Sequence, residues 1–206
     1  RRAELGHAGC NERVGGIDLR VRAHLRRSTA ALHAELDRAF SVRDLALRDN
    51  YRRFLSSSAS VVLPLEAELA RMGVERLLPD WRDRTRARAL VDDLRDLGVP
   101  ASASDTPLIR LANDQAVWGA CYVLEGARLG AAQLLPMIGA APDGLPTRYL
   151  GHGAGKPLWS GFLARLENAG WTQSGLREAS TAACAVFEAF LYSAAGRTAQ
   201  PVAWAS

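Results

Sequence analysis

Apolar residues recur along this chain at three- and four-residue spacings almost throughout, the period of a helix buried along one side. The first run, LRVRAHLRRSTAALHAELDRAF, predicts a helix over Leu19–Phe40 with Asp18 as its N-cap, and SVRD at Ser41–Asp44 offers the next start. A second helix is expected over Arg48–Met72, kinked or broken at Pro64. LPDWRDRTRARALVDDLRDLG predicts a third that ends near Gly98, and VPASASDTP reads as a loop. A long helix over Leu108–Ile138 follows, then the loop GAAPDGLPTRYLGHGAGKP with its short aromatic patch, then helices over Leu158–Asn168 and Ser174–Ala195. No alternating strand pattern, internal repeat or low-complexity tract interrupts this order. The expected fold class is all-α, a compact single-domain bundle of crossing helices rather than a heptad coiled coil. Residues 1–17 are expected as a disordered arm, 18–196 as the domain and 197–206 as a tail.

Two features of this pattern ask for more than packing. The long helix carries Gly126 and Gly130 inside an apolar run, with Ala127, Ala131 and Ala132 beside them. A glycine inside a helix costs about 1 kcal/mol against alanine. Spaced by four, these two fall on one face and let another backbone or a flat ligand approach closely. Helix–helix packing is the ordinary use of such a pair. The first helix holds His24 and His33, nine residues and therefore nearly half a turn apart. His24 shares its face with Arg20, Arg27 and Arg38, which reads as solvent. His33 borders the stripe of Leu25, Leu32, Leu36 and Phe40, with Thr29 one turn before it and Arg26 and Arg22 further back on its side. That arrangement is either a packed histidine with surface arginines, or a neutral imidazole able to ligate iron with arginines placed for carboxylates. A planar macrocycle between the two helices would account for both features.

Composition narrows the choice. The chain has 206 residues, 48% hydrophobic and 23% charged, the profile of one globular domain with a full core. No apolar run reaches the length of a membrane span, and Arg1–Gly16 lacks the apolar segment of a signal peptide. Cys10, Cys121 and Cys184 are far apart and form no CxxC or metal spacing, so a reducing cytoplasm is expected. The formal net charge of +4 suits an anionic ligand or an acidic partner. Nucleic acid is not expected, because the arginines are interspersed with acids and form no stripe with aromatics.

STAALHAELD at Ser28–Asp37, together with YVLEGARLGAAQL at Tyr122–Leu134, resembles the biliverdin-producing haem oxygenases. The likeness is greatest to the bacterial branch, which includes enzymes that accompany bacteriophytochromes. It covers about Leu19–Leu191 and extends to a W-x-x-F-L-x-x-L helix at Trp159–Leu166. The resemblance implies a haem-oxygenase-like bundle with haem between the first helix and a glycine-kinked distal helix. It implies His33 as the axial iron ligand and Gly126 and Gly130 as the distal backbone. Thr29 matches the threonine of the proximal motif. Arg26 matches a position where the family often places a basic residue near a haem propionate, and Arg128 falls at a position basic in some bacterial relatives and is implied to do the same. Haem b is then both substrate and cofactor. It is cleaved with O2 and external electrons, from a ferredoxin, a reductase or ascorbate, to biliverdin, CO and ferrous iron. An electron-donor protein and a bacteriophytochrome that takes up the bilin are the implied partners, and a monomer is expected. Ala127 departs from the animal enzymes, which place an aspartate there to organise distal water. Arg110, Asn113 and Gln115 are candidates to replace it.

Two alternatives stand beside this reading: a haem-binding or haem-transfer protein on the same fold, and a fold relative acting on another small molecule, such as a thiamin-salvage hydrolase. Other constellations carry less. YLGHGAGKPLW at Tyr149–Trp159 suggests a phosphate loop, but Leu150 and Pro157 stand where that loop needs Gly and Ser or Thr. It is expected to be a connector, with His152 exposed and Lys156 able to approach a propionate. Glu66, Glu68, Asp92 and Asp93 lack the Glu-x-x-His pairing of a di-iron site. Cys121 and Cys184 are expected as buried structural thiols, Trp81, Trp118, Trp159 and Trp171 as core or pocket wall, and the stripe of Phe187, Phe190 and Tyr192 as packing.

Overall fold

The computed structural model describes residues 21–41, 45–100, 109–141 and 144–196, and every regular element among them is helical. The expected arm, Asp18 and Arg20, Cys10, most of the SVRD start and the C-terminal tail lie outside the described residues. The elements are α1 Val21–Ser41, α2 Arg48–Arg71, a 3-10 turn Val74–Arg76, α3 Trp81–Arg84, α4 Ala87–Asp96, α5 Asp114–Gly139, α6 Arg148–Gly151, α7 Leu158–Glu167 and α8 Gln173–Ala194. None of the helices is long and apolar enough to cross a membrane.

Four details differ from the sequence pattern. Pro64 sits inside α2 without breaking it. The expected third helix is two, because Thr85 adopts an extended conformation (φ −63°, ψ 136°) between α3 and α4. The long helix starts at Asp114, where the Asn113 side chain accepts the Ala116 N–H at 3.0 Å and caps it. The TRYLG patch of the connector forms the one-turn α6.

α8 is the axis of the fold, with α1, α5 and α2 packed along it. The contact with α5 is made at backbone distance: a Cβ on Gly119 would lie 2.0 Å from the Ala179 carbonyl oxygen. Val21, Leu25 and Thr29 form the buried stripe of α1, and Leu32, Leu36 and Phe40 continue it half-buried. α7 bridges α1 and α5 at one end, and α6 joins α5 to α4.

Carboxylates from distant helices stand in for local caps. Glu167 at the end of α7 accepts the N–H groups of Val21 (2.9 Å) and Arg22 (3.0 Å) at the start of α1. Glu66 does the same for Arg86 and Ala87 at the start of α4, and Asp93 for Arg148 and Tyr149 at α6. Glu68 receives the Leu111 N–H at 3.0 Å just before α5. Such carboxylates satisfy donors that a helix start leaves open and complement its dipole. This is the use of Glu66, Glu68 and Asp93, and no group of metal-ligating side chains occurs among the described residues.

Candidate functional site

α1 and α5 both rest on α8, and α7 packs against both of them. There the Trp159 ring lies 5.9 Å from that of Tyr122 on α5, and the Arg22 guanidinium of α1 sits over it at 6.0 Å. Phe162 stacks behind Trp159 at 5.7 Å. From this corner α1 runs on to His33, three turns from Arg22 on the same side, and α5 runs on past Gly126 to Gly130. His33 and Gly130 are both exposed.

The α1 wall carries His33, whose side chain is 61% exposed. Its ring meets Phe187 of α8 edge-on at 5.6 Å. Nδ1 is held by the Asp37 carboxylate at 2.9 Å, which leaves Nε2 without a hydrogen bond among the described residues. An imidazole tied at one nitrogen to a carboxylate has its tautomer fixed and its other nitrogen ready for a metal. His33 therefore does not point into the core, as the apolar stripe suggests. It stands on the flank of that stripe, because the buried line runs through Leu25 and Thr29, and the cleft edge is what it lines. His24, expected in solvent, is half-buried.

The α5 wall is nearly bare of side chains. Nothing lies within 4 Å of a Cβ built on Gly130, and one on Gly126 would touch only Trp159, at 3.8 Å. Leu129 and Met137 are 48% and 44% exposed, two of the three large apolar side chains in that state among the described residues. Met137 shares the glycine face; Leu129 borders it.

Arg22 and Arg26 are exposed at the closed corner. Burial pushes the Tyr122 phenol above its ordinary value, and these two arginines pull it back. The cleft thus has an open imidazole, a Cβ-free apolar wall and a cationic end beside a phenol. These features fit haem, a flat apolar ring with iron at its centre and two carboxylates on one edge.

The other residues singled out in the sequence lie elsewhere. Thr29 is 3% exposed and donates to the Leu25 carbonyl at 2.9 Å, so its hydroxyl is spent within α1. Arg128 does not reach the cleft; it lies on the back of α5 with its side chain 10% exposed, bonded to Glu125 and to the segment at His152. His152 is half-buried rather than exposed, and burial together with Arg128, Arg86 and Lys156 holds its imidazole below the usual range. Lys156 turns toward Asp83, 3.8 Å away. The candidates for distal water are also misplaced. Arg110 faces Glu68, Asn113 is the cap of α5, and Gln115 packs near Gly175 about 16 Å along the helix from Gly126.

Sequence reasoning missed Asp37, Tyr122 and a buried ionic cluster behind the glycines. Glu125, 1% exposed, takes Arg84 at 2.6 Å, and Arg84 also holds Asp80 through two bonds at 2.9 and 2.7 Å. The signal was present: Glu125 is the only acid in the apolar run from Ala116 to Leu135, and a carboxylate buried there requires a buried cation.

No family model matches the chain. A haem oxygenase of Xanthomonas campestris pv. campestris is 30% identical over 145 residues, which are 69% of this chain and 87% of that one. The chain belongs to the haem oxygenase family. The haem oxygenase PigA of Pseudomonas aeruginosa is likewise 30% identical, over 151 residues that span 70% of this chain and 76% of that protein. Two solved structures carry the fold. The haem oxygenase of Neisseria meningitidis, crystallised with NO and CO, matches at a TM-score of 0.74 with 23% identity, over 88% of this chain and 95% of that one. The haem oxygenase of Leptospira interrogans matches at 0.72 with 18% identity, over 87% and 100%. In this haem oxygenase the two motifs first noticed in the sequence lie on α1 and α5, which both pack on α8.

Proposed function

We propose that this haem oxygenase binds haem in the cleft between α1 and α5 and opens its ring to biliverdin, CO and ferrous iron. The observation that carries the assignment of the cleft is the open Nε2 of His33 on one wall and the Cβ-free Gly126–Gly130 face on the other. The bound haem supplies the iron that activates dioxygen and the ring that is cleaved. His33 would hold the iron through Nε2, and Asp37 at Nδ1 fixes the orientation of its ring. Gly126 and Gly130 would let the backbone of α5 approach the haem closely, where the haem supplies the site of dioxygen activation. Arg22 and Arg26, with Tyr122, take the propionates, and Trp159 closes that end. Ala127 carries no polar group, and the Glu125 carboxylate is turned away, so the proton supply on the α5 side comes through water held by main chain. Electrons come from an external donor, a ferredoxin or reductase, for which the net charge of +4 favours an acidic surface. The unpaired thiols Cys121 and Cys184 suit the cytoplasm, and a bacteriophytochrome is a fitting recipient of the bilin.

Haemin titration followed by ascorbate in air tests the reading. The wild type should show a Soret band that decays as a biliverdin band rises in the red. His33→Ala should lose the histidine-ligated spectrum and turnover, while His24→Ala should change either by less than about twofold. Equal losses in both variants would remove His33 from the iron. A Soret band that survives ascorbate would make the protein a haem carrier.

A further inference from the structure

The front of α5 must stay bare to admit the substrate, so whatever holds its glycine segment in place has to act from behind. Two glycines weaken the helix where the site needs a fixed height, and Pro136 removes a further N–H a few residues on. On the front, Gly130 touches nothing and Gly126 has only a van der Waals contact with Trp159. On the back, between the two glycines, stands Arg128.

All five N–H groups of Arg128 are engaged. Nε and Nη2 form a fork on Glu125 at 3.1 and 3.0 Å. Nη2 also donates to the Arg84 carbonyl at the end of α3. Nη1 donates to the His152 carbonyl at 3.1 Å and meets His152 Nδ1 at 3.3 Å. Each partner is anchored in turn. Glu125 is held by Arg84, whose Nη1 also reaches the Leu158 carbonyl at 2.9 Å at the start of α7. His152 follows α6, which hangs from Asp93. The loop is shaped around the guanidinium: Gly153 has φ 76°, and a Cβ there would lie 3.2 Å from Arg128 Nη1 and 2.5 Å from Leu158 Cδ1. Arg86 adds a second guanidinium on the same side, donating to the Leu124 carbonyl at 2.9 Å.

We propose that Arg128 is a positioning residue for haem cleavage: a strut on the back of α5 that ties the Gly126–Gly130 backbone to α3 and to the α6–α7 connection and so sets where it stands over the haem. The proposal rests on the cleft being the haem site. Arg84 divides its charge between Glu125 and Asp80, so the Arg128 fork completes the charge balance at Glu125. The remaining donors of Arg128 go to main chain and imidazole of other elements, and those bonds fix position rather than charge.

Arg128→Lys separates the two roles, because it keeps a cation for Glu125 while one ammonium group cannot also span the Arg84 and His152 carbonyls. Hydrogen exchange on the haem-free protein should show the amides of residues 126–131 opening about tenfold faster than in the wild type. With haem bound, kcat should fall about tenfold while KM for haem stays within about threefold, and the mixture of biliverdin isomers should broaden. A lower Tm with wild-type exchange, kcat and isomer ratio at a temperature where the protein is folded would make Arg128 a stabilising residue only, and overturn the proposal. Should Arg128→Lys fail to fold, His152→Ala removes one of the five bonds and must shift exchange and isomer ratio in the same direction; no shift there overturns it equally. A His33-independent haem spectrum would instead refute the cleft, and so distinguishes the two failures.

Discussion

The two halves of α5 use glycine for opposite ends. In the first half Gly119 lies among buried neighbours, Val117, Trp118, Ala120 and Cys121, and the α8 backbone fills the space where its side chain would be. In the second half Gly130 faces nothing, with Leu129 and Met137 exposed on the same stretch. One glycine brings two helices together; the other keeps a wall clear. The spaced pair that resembles a packing motif is the one that does not pack, and the isolated glycine is the one that does. Spacing alone is therefore a poor guide to what a glycine admits, and the identity of the nearest atom decides it.

The sharpest break of this comparison is at Gly119. A Cβ there would overlap the Ala179 carbonyl, which is main chain of the central helix and cannot swing aside. Gly119→Val should destabilise the fold by more than about 3 kcal/mol, from overpacking at a backbone contact. Urea unfolding followed by far-UV circular dichroism measures it. A variant as stable as the wild type would mean that α5 and α8 stand further apart than described, and the contrast between the halves would collapse.

The packed half is also tied down electrostatically. Glu68 receives the Leu111 N–H ahead of α5 and forms a two-bond pair with Arg71 at 2.7 and 2.8 Å. The Arg71 bonds first, then the Leu111 N–H, hold its carboxyl down at about 2. A carboxyl depressed on folding adds stability that is complete above its unfolded value, about 4.5, and is lost as pH falls through about 2. Glu68→Gln should thus cost about 1–2 kcal/mol at neutral pH, and the gap to the wild type should close between those two values. Taking the difference between the two proteins matters, because Glu66 and Asp93 are pushed the other way by burial and bend the acid limb of both curves. A gap independent of pH would show that Glu68 is not held as a charge.

Helix periods and the order of elements were legible in the sequence, because each is a local pattern; the glycine pair and the histidine beside arginines, on which the proposed cleft rests, are local patterns too. What was not legible depends on residues far apart in the chain. Nothing near Val21 announces that Glu167 closes the start of α1, and nothing near Ala87 announces Glu66. Thr85 splits a pattern that looks continuous, and the distant Glu66 accepts the Arg86 and Ala87 N–H groups with which α4 starts afresh. Arg128 is assigned to a propionate by the resemblance alone, through a position basic in some bacterial relatives, and helix geometry does not carry it there. At 3.6 residues per turn the middle of a GxxxG pair points backward, and Glu125, one turn earlier on the same side, was the clue to its partner.

The smallest effect tests the comparison most directly, because its sign is diagnostic. Replacing a packing glycine with alanine lowers stability; replacing one that keeps a wall clear should raise it. Alanine at Gly130 meets no atom within 4 Å and improves helix propensity, so Gly130→Ala should gain up to about 1 kcal/mol in the haem-free protein. The same methyl group projects into the space proposed for the haem face, so haem turnover should fall by a few fold, and Gly130→Leu should abolish it with the fold intact. Thermal unfolding of the haem-free variants and biliverdin formation by the loaded ones give the two readings. A stabilised variant with undiminished turnover, and full activity in Gly130→Leu, would show that the bare face of α5 is not the face that haem meets. A destabilised Gly130→Ala would show that it is not bare at all.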